Sequence, residues 1–117
     1  MGRRTITRSS QRHDGALEAD TAAELAEVFK ALADPTRLRL ISALADGERC
    51  VHELTGILEM EQSTVSHQLR TLRQLRLVRF RKDGRHVFYE LDDSHVKRLF
   101  QFAMQHVEHT TARRRRR

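Results

Sequence analysis

The spacing of apolar residues changes from a helical period to strict alternation in only one part of the chain, and this limits the possible folds. Over residues 21–75 and again from residue 93, apolar residues recur every three or four positions, which predicts helices. Between these regions Val78 and Phe80 alternate with arginines, and Asp83-Gly84 is typical of a two-residue hairpin turn. The sequence therefore predicts a mainly α fold with one β-hairpin.

The helical regions divide into five predicted helices. Asp34 followed by Pro35 is typical of an N-cap and the first helical position, and Asp46-Gly47 is typical of a helix end. The first 14 residues and about the last six lack apolar periodicity, which predicts disordered arms. From the N-terminus, the helices are expected at about 21–33, 35–46, 51–58, 62–75 and 93–110.

Length and composition favour one small domain between two basic arms. A chain of 117 residues suits one domain, expected over residues 18–110, with a disordered basic arm over 1–17 and an arginine tail over 111–117. The single cysteine, Cys50, cannot form an intramolecular disulfide, which favours a reducing compartment. Since the sequence has neither a secretion signal nor an apolar run of about 18 residues, we expect a cytoplasmic protein with no membrane partner.

The positive charge is concentrated in a few segments. The formal net charge is +6, of which residues 1–14 supply +3 and the five C-terminal arginines supply +5, so residues 15–112 total −2. Within this interior, residues 70–85 contain seven basic side chains and one acidic side chain. Such a basic stripe is typical of nucleic-acid binding, although solvated surfaces also carry basic stripes. Charge alone therefore leaves both interpretations open.

The fourth predicted helix has two different faces. Val65, Leu69 and Leu72 begin an apolar stripe that continues to Leu75, and a polar stripe follows the opposite side. Its side chains can hydrogen-bond to phosphates or base edges, and a basic hairpin tip can follow a phosphate backbone. Because the element order is helix, turn, helix and hairpin, we predict a winged helix-turn-helix that binds double-stranded DNA. The candidate DNA contacts are Gln62, Ser63, Ser66, His67, Gln68, Arg70, Lys82, Arg85 and His86.

Five short motifs occur in a characteristic order. They are ALADPTRLRLI at 31–41, CVHEL at 50–54, STVSHQLR at 63–70, LRLV at 75–78 and GRHVFY at 84–89. In these motifs the chain resembles the ArsR/SmtB family of bacterial metal-responsive repressors, over about residues 20–109. The resemblance implies a homodimer with the first and last helices at its interface. It also implies that the metal-free dimer binds operator DNA and releases it on binding the effector.

The last predicted helix carries candidate metal ligands at its two ends. His95 and His106 are eleven residues apart, about 16 to 17 Å along the axis, so one helix cannot bring ligands from both ends to one ion. The three imidazoles nevertheless lie within about 60° of one another around the helix. Antiparallel pairing with a second copy would place Asp93 and His95 beside the other chain's His106 and His109, twice per dimer. Three imidazoles and one carboxylate form a closed tetrahedral set suited to Zn(II) or Co(II).

The resemblance extends to this ligand pattern. It is similar to that of the family's zinc and cobalt sensors that use the last helix, which implies a repressor of metal-efflux or storage genes. The family resemblance also suggests that the ring N–H of His106 donates to the backbone carbonyl of Arg76, where the fourth helix meets the hairpin. Such a hydrogen bond would link the metal site to the DNA-binding helix.

Other effectors and a second metal site are alternatives. Nickel sensors of related sequence add histidines beyond this point, whereas here two threonines, an alanine and arginines follow. A Ni(II)/Co(II) sensor is therefore a less favoured alternative, beside a repressor of the same fold with a non-metal effector. Cys50 with His52 or His13 would make an incomplete second site, and a half-buried structural thiol is favoured. An enzyme is not expected, because four protein ligands leave zinc no open position and no HExxH motif is present.

Overall fold

The computed structural model describes residues 12–13 and 15–116, with side chains from residue 15 onward. The chain divides into two units, Met1–Ala33 and Asp34–Arg117. In the first unit, strands β1 (Arg12–His13) and β2 (Ala16–Leu17) pair antiparallel, and helix α1 follows over Ala19–Leu32. The predicted basic arm therefore contains a short hairpin at its C-terminal end, and residues 1–11 and 14 of that arm lie outside the described residues.

The second unit contains four helices and a small antiparallel sheet. Strands β4 (Val78–Asp83) and β5 (His86–Leu91) form a hairpin, called the wing below. Strand β3 (Arg49–Cys50) pairs with its β5 edge, so the strand order is β3-β5-β4. The predicted hairpin is confirmed, but the strand added at its edge was not predicted, because a two-residue strand is too short to show an alternating pattern. The helices are α2 (Pro35–Ala45), α3 (Val51–Leu58), α4 (Gln62–Gln74) and α5 (Ser94–Arg115).

The core of this unit forms where α2, α3 and α4 present their apolar faces. The predicted N-cap is confirmed, since the Asp34 carboxylate accepts the Arg37 backbone N–H at 3.0 Å and starts α2. The predicted apolar stripe of α4 is buried as far as Leu72, but Leu75 is 38% exposed because it follows the end of the helix. The buried side chains are those of Leu40, Ile41, Leu44, Leu54, Leu58, Val65, Leu69, Leu72, Leu77 and Val78.

Helix α5 is longer than predicted and is not buried in the single chain. It continues to Arg115 and not only to Thr110, because arginine favours helix and cations in the last turn interact favourably with the helix dipole. None of its residues, all of which the structure describes, is buried. Its large exposed apolar side chains are Leu99, Phe102, Met104 and Val107. This helix therefore keeps an apolar surface available to a partner.

The turn between α3 and α4 includes a residue in the left-handed region. Glu59 has φ 54° and ψ 48°, and the Met60 N–H donates to the Thr55 carbonyl at 3.3 Å to close the end of α3. A side chain with a Cβ is strained in this conformation, whereas glycine adopts it freely.

The Glu59→Gly variant is therefore expected to stabilise the fold by about 0.5 to 1 kcal/mol. Urea denaturation at fixed protein concentration measures this change. Glu27→Gly, in the interior of α1, is a matched control that is expected to destabilise by about 1 kcal/mol. A loss of stability in Glu59→Gly would show that the turn does not need the left-handed conformation.

Candidate DNA-binding surface and metal ligands

Helix α4 separates its apolar and polar side chains as its sequence predicts. Val65, Leu69 and Leu72 are fully buried, whereas the predicted DNA-contacting residues lie on the accessible side. Of these, Gln62, Ser63, His67 and Arg70 are exposed, and Ser66 and Gln68 are half-buried. The buried face fixes the helix in the fold and leaves the polar face open to a partner.

Gln68 contacts another helix of the same unit. Its side-chain oxygen accepts a hydrogen bond from the Arg37 Nε at 3.0 Å, which links α4 to α2. Among the hydrogen bonds described, Gln68 is the one predicted DNA contact of α4 whose side chain bonds to another helix. This bond holds α4 against α2 and orients its exposed neighbours.

A cavity of about 380 Å³ lies between α3, α4 and the wing. It brings together five of the predicted DNA contacts, which come from two distant parts of the sequence. Ser63, His67, Gln68 and Lys82 do not line it. The five are Gln62, Ser66 and Arg70 from α4, with Arg85 and His86 from the wing.

The cavity is also lined by residues that were not among the predicted DNA contacts. Arg73 and His52 both line it. Arg73 follows Arg70 by three positions and so lies on the same side of α4, a spacing that could have identified it. Its guanidinium lies over the Phe80 ring, 4.5 Å from the centroid, which orients it beside the wing.

Two arginines of the basic strand are paired with carboxylates. Arg81 forms a bidentate ion pair with Glu48, with Nε and Nη2 at 2.6 and 2.8 Å from its oxygens. Arg79 Nε lies 3.1 Å from a Glu90 oxygen. The positive charge of residues 70–85 is therefore not uniformly available to DNA, and these two arginines contribute chiefly to holding the wing together.

Three carboxylates are held in their charged form by hydrogen bonds. The Arg81 guanidinium lowers the pKa of Glu48, and the Cys50 backbone N–H, 2.9 Å away, lowers the pKa of Glu53. The backbone N–H of Val96 is the main cause of the lowered pKa of Asp93. Because these groups release protons more readily in the folded chain, the unfolded chain binds more protons in acid.

The fold is therefore expected to lose stability as the pH falls below about 4.5, and to regain it on return to neutrality. Urea midpoints measured between about pH 7 and pH 3 test this expectation. In Glu48→Gln the acid loss should be smaller, because one of the three carboxylates no longer titrates. An equal acid loss in Glu48→Gln and the native chain would show that this ion pair contributes nothing.

One carboxylate oxygen of Asp93 caps helix α5, and the other does not take part in the cap. Its Oδ1 accepts the backbone N–H groups of His95 and Val96 at 2.9 and 3.1 Å, which caps α5. Its Oδ2 lies 3.5 Å from the His95 Nδ1, and both side chains are accessible. The first two predicted metal ligands are therefore adjacent, with one carboxylate oxygen not occupied by the cap.

The other two predicted ligands, His106 and His109, lie exposed toward the far end of α5. In the part of the chain that the structure describes, no group of three or more His, Cys, Asp or Glu residues is placed to hold a metal ion. A single chain thus supplies separated ligands, and a four-ligand site of this composition needs a second chain.

Cys50 has a local structural environment. It is a free, half-buried cysteine in β3, opposite Phe88 of β5, and its backbone N–H donates to Glu53 at the start of α3. These contacts agree with the interpretation as a half-buried structural thiol. His13, the other residue considered for a second site, lies in β1, and its side chain is not among those that the structure describes.

The sequence comparisons decide the family. Residues 34–79, which include α2, α3 and α4, match the family model described as bacterial regulatory protein, arsR family. A transcriptional repressor SmtB homolog from Synechocystis is 49% identical over 92 residues, covering 79% of this chain and 70% of that protein. The chain belongs to the ArsR/SmtB family. This family comprises transcriptional regulators, and the chain is accordingly a DNA-binding winged helix-turn-helix protein.

Two further similarities support the family and its fold. A cadmium resistance transcriptional regulatory protein CadC homolog from Staphylococcus aureus is 44% identical over 84 residues, covering 71% of this chain and 69% of that protein. The homodimeric winged helix-turn-helix domain Mb0332 from Mycobacterium bovis matches this ArsR/SmtB chain with a TM-score of 0.72 and 31% identity. That match covers 83% of this chain and 88% of the solved one. Within residues 12–13 and 15–116, no helix is long and apolar enough to cross a membrane.

Proposed function

We propose that this ArsR/SmtB protein is a homodimeric repressor that responds to Zn(II) or Co(II). In this proposal the metal-free dimer binds operator DNA, and metal binding between the two chains lowers its DNA affinity. A metal-efflux or storage gene is then derepressed. The observation that carries the proposal is the pair Asp93 and His95 at one end of an exposed helix whose other end carries His106 and His109.

The donor set favours zinc and cobalt over softer metals. One carboxylate oxygen and three imidazole nitrogens form a closed tetrahedral set, whereas softer metals such as cadmium favour thiolates. The name of the CadC homolog connects that relative with cadmium. Helix α5, over Ser94–Arg115, contains no cysteine, so the sulfur ligands that favour cadmium are missing from it.

The exposed apolar side chains of α5 support the dimer that the site requires. Antiparallel pairing of two α5 helices would cover part of this apolar surface and bring the two halves of each site together. Two-fold symmetry then makes two identical sites per dimer. In the same dimer the two α4 helices would enter successive major grooves, about 34 to 36 Å apart.

A hydrogen bond from His106 to the backbone carbonyl of Arg76 would couple the metal to α4. Arg76 follows α4 with φ 61°, and its N–H donates to the Arg73 carbonyl at 2.9 Å. The tight turn fixes the direction of the Arg76 carbonyl relative to the helix. By linkage, the factor by which metal weakens DNA binding must equal the factor by which DNA weakens metal binding.

The terminal arginines have a supporting role in this proposal. The first four of them extend α5 as an exposed cationic end, with Arg113 to Arg115 in the helix and Arg116 after it. Such charge adds sequence-independent affinity for DNA that decreases as salt rises. We assign the tail to general DNA affinity and not to the metal response.

Equilibrium dialysis of the metal-free protein against Zn(II), Co(II) and Ni(II) tests the effector. We expect two zinc ions per dimer, with tetrahedral visible absorption for the cobalt form. Six-coordinate nickel bound more tightly than zinc would support the nickel alternative. No metal bound by a folded dimer that still binds its promoter would support a non-metal effector.

A further inference from the structure

The cavity between α4 and the wing contains more positive charge than the predicted DNA contacts alone supply. Three arginines, Arg70, Arg73 and Arg85, converge on its walls from two elements. None of the eleven residues that line it is a carboxylate. A concave site with cations on two sides and no acidic group favours an anion.

Three acidic side chains on the segments around this cavity have other partners. Glu48 binds Arg81, and Glu90 binds Arg79. Glu53 accepts the Cys50 backbone N–H. The positive charge of the cavity is therefore not cancelled by these carboxylates.

Arg73 is held in position without losing its hydrogen-bond donors. Its guanidinium lies over Phe80, which stacks on Tyr89 at 5.9 Å between ring centroids. Contact with an aromatic face uses the plane of the guanidinium and leaves the N–H groups at its edge free to bind oxygen. A planar, oriented arginine of this kind is suited to bidentate binding of a phosphate.

We propose that this cavity holds one strand of the DNA backbone, with Arg73 as a phosphate ligand. The proposal rests on the proposed function in one respect, which is that α4 binds duplex DNA through its accessible face. Gln62, Ser66 and Arg70 lie on both that face and the cavity wall. The backbone beside the groove that receives α4 thus lies next to the cavity. Arg73 contributes affinity that does not depend on sequence, and it fixes the angle between α4 and the duplex.

The test is fluorescence anisotropy of the full chain with metal removed. Its own promoter and a random duplex of equal length are titrated over a range of about 50 to 400 mM salt. Arg73→Gln is expected to weaken binding to both duplexes by about tenfold at low salt and to reduce the salt slope by about one. Arg73→Lys keeps the charge and should retain the native slope with a smaller loss of affinity.

Arg79→Gln is the matched control. It removes the same charge from the wing, but Arg79 pairs with Glu90 and lies outside this cavity. Its affinity is expected to remain within about twofold of the native value. Equal effects of Arg73→Gln and Arg79→Gln would overturn the proposal, because net charge alone would then explain the loss.

Two other results would also overturn the proposal. A loss in Arg73→Gln confined to the promoter would show that Arg73 reads bases. Release of DNA by inorganic phosphate or pyrophosphate, at concentrations where chloride of equal ionic strength has no effect, would assign the cavity to a free phosphorylated ligand. The random-duplex titration distinguishes this proposal from the repressor proposal, since it tests the phosphate contact even where promoter preference or zinc response is missing.

Discussion

The Asp93→Asn variant is expected to keep helix α5 and lose at least about 100-fold in zinc affinity. Asparagine caps helices as well as aspartate does, so its amide oxygen can still accept the N–H groups of His95 and Val96. The amide does not provide the anionic oxygen that completes the proposed tetrahedral site. Competition with a zinc chelator measures the affinity, and circular dichroism confirms that the helix remains.

The expected effect on DNA binding is equally specific. In metal-free buffer Asp93→Asn should bind the promoter like the native chain, but zinc should no longer release it. Asp92→Asn is the matched control, because it removes a neighbouring carboxylate that is not a proposed ligand. Native zinc affinity in Asp93→Asn, with the cap intact, would remove Asp93 from the site.

The Leu69→Ala variant is expected to lower the free energy of unfolding by about 2 to 5 kcal/mol. Leu69 is fully buried and lies on α4 between Gln68, which binds α2, and Arg70, which lines the cavity. Removing its side chain leaves a cavity beneath the DNA-binding helix, and the surrounding core relaxes only in part. Urea denaturation at one fixed protein concentration measures the loss, because dimer formation makes stability depend on concentration.

Leu75→Ala is the matched control for this experiment. Leu75 is 38% exposed, so its truncation should cost less than about 1 kcal/mol. A similar cost at both positions would contradict the assignment of Leu69 to the core. A small cost at Leu69 alone would show that other residues hold α4 in place.

The sequence could predict the elements whose periodicity is long enough to detect. The two faces of α4 follow from the spacing of Val65, Leu69 and Leu72, and the N-cap of α2 follows from Asp34 and Pro35. The wing follows from alternation around Asp83-Gly84. Each of these signals lies within a short stretch of chain and needs no knowledge of tertiary contacts.

The features that the sequence could not predict depend on distant residues or very short elements. Strand β3 has two residues, Arg49–Cys50, and forms only because β5 lies beside it. The bidentate pairing of Arg81 with Glu48 joins positions 33 residues apart, so charge counting over residues 70–85 could not identify it. The cavity likewise depends on tertiary packing, which places the α4 face opposite the wing tip.

The candidate metal ligands of α5 include one feature that the sequence predicts and others that it could not predict. The sequence predicts that Asp93 and His95 are separated along α5 from His106 and His109. The structure agrees, since Asp93 is the N-cap and the three histidines lie within the helix from Ser94 to Arg115. The sequence could not predict that the Asp93 Oδ1 caps the helix while the Oδ2 lies beside the His95 Nδ1, because this depends on atomic geometry. The pairing of the two halves across a dimer stays a prediction, since it needs a second chain.

Fluorescence anisotropy of the native chain on its own promoter, titrated with Zn(II), Co(II), Ni(II) and Cd(II), tests the central claim most directly. Zinc and cobalt are expected to release the DNA at two metal ions per dimer, and chelation should restore binding. Nickel and cadmium should release it only at higher concentrations. If the metal-free protein binds the promoter and none of the four metals releases it, the proposed metal response is contradicted even though the DNA-binding fold is retained.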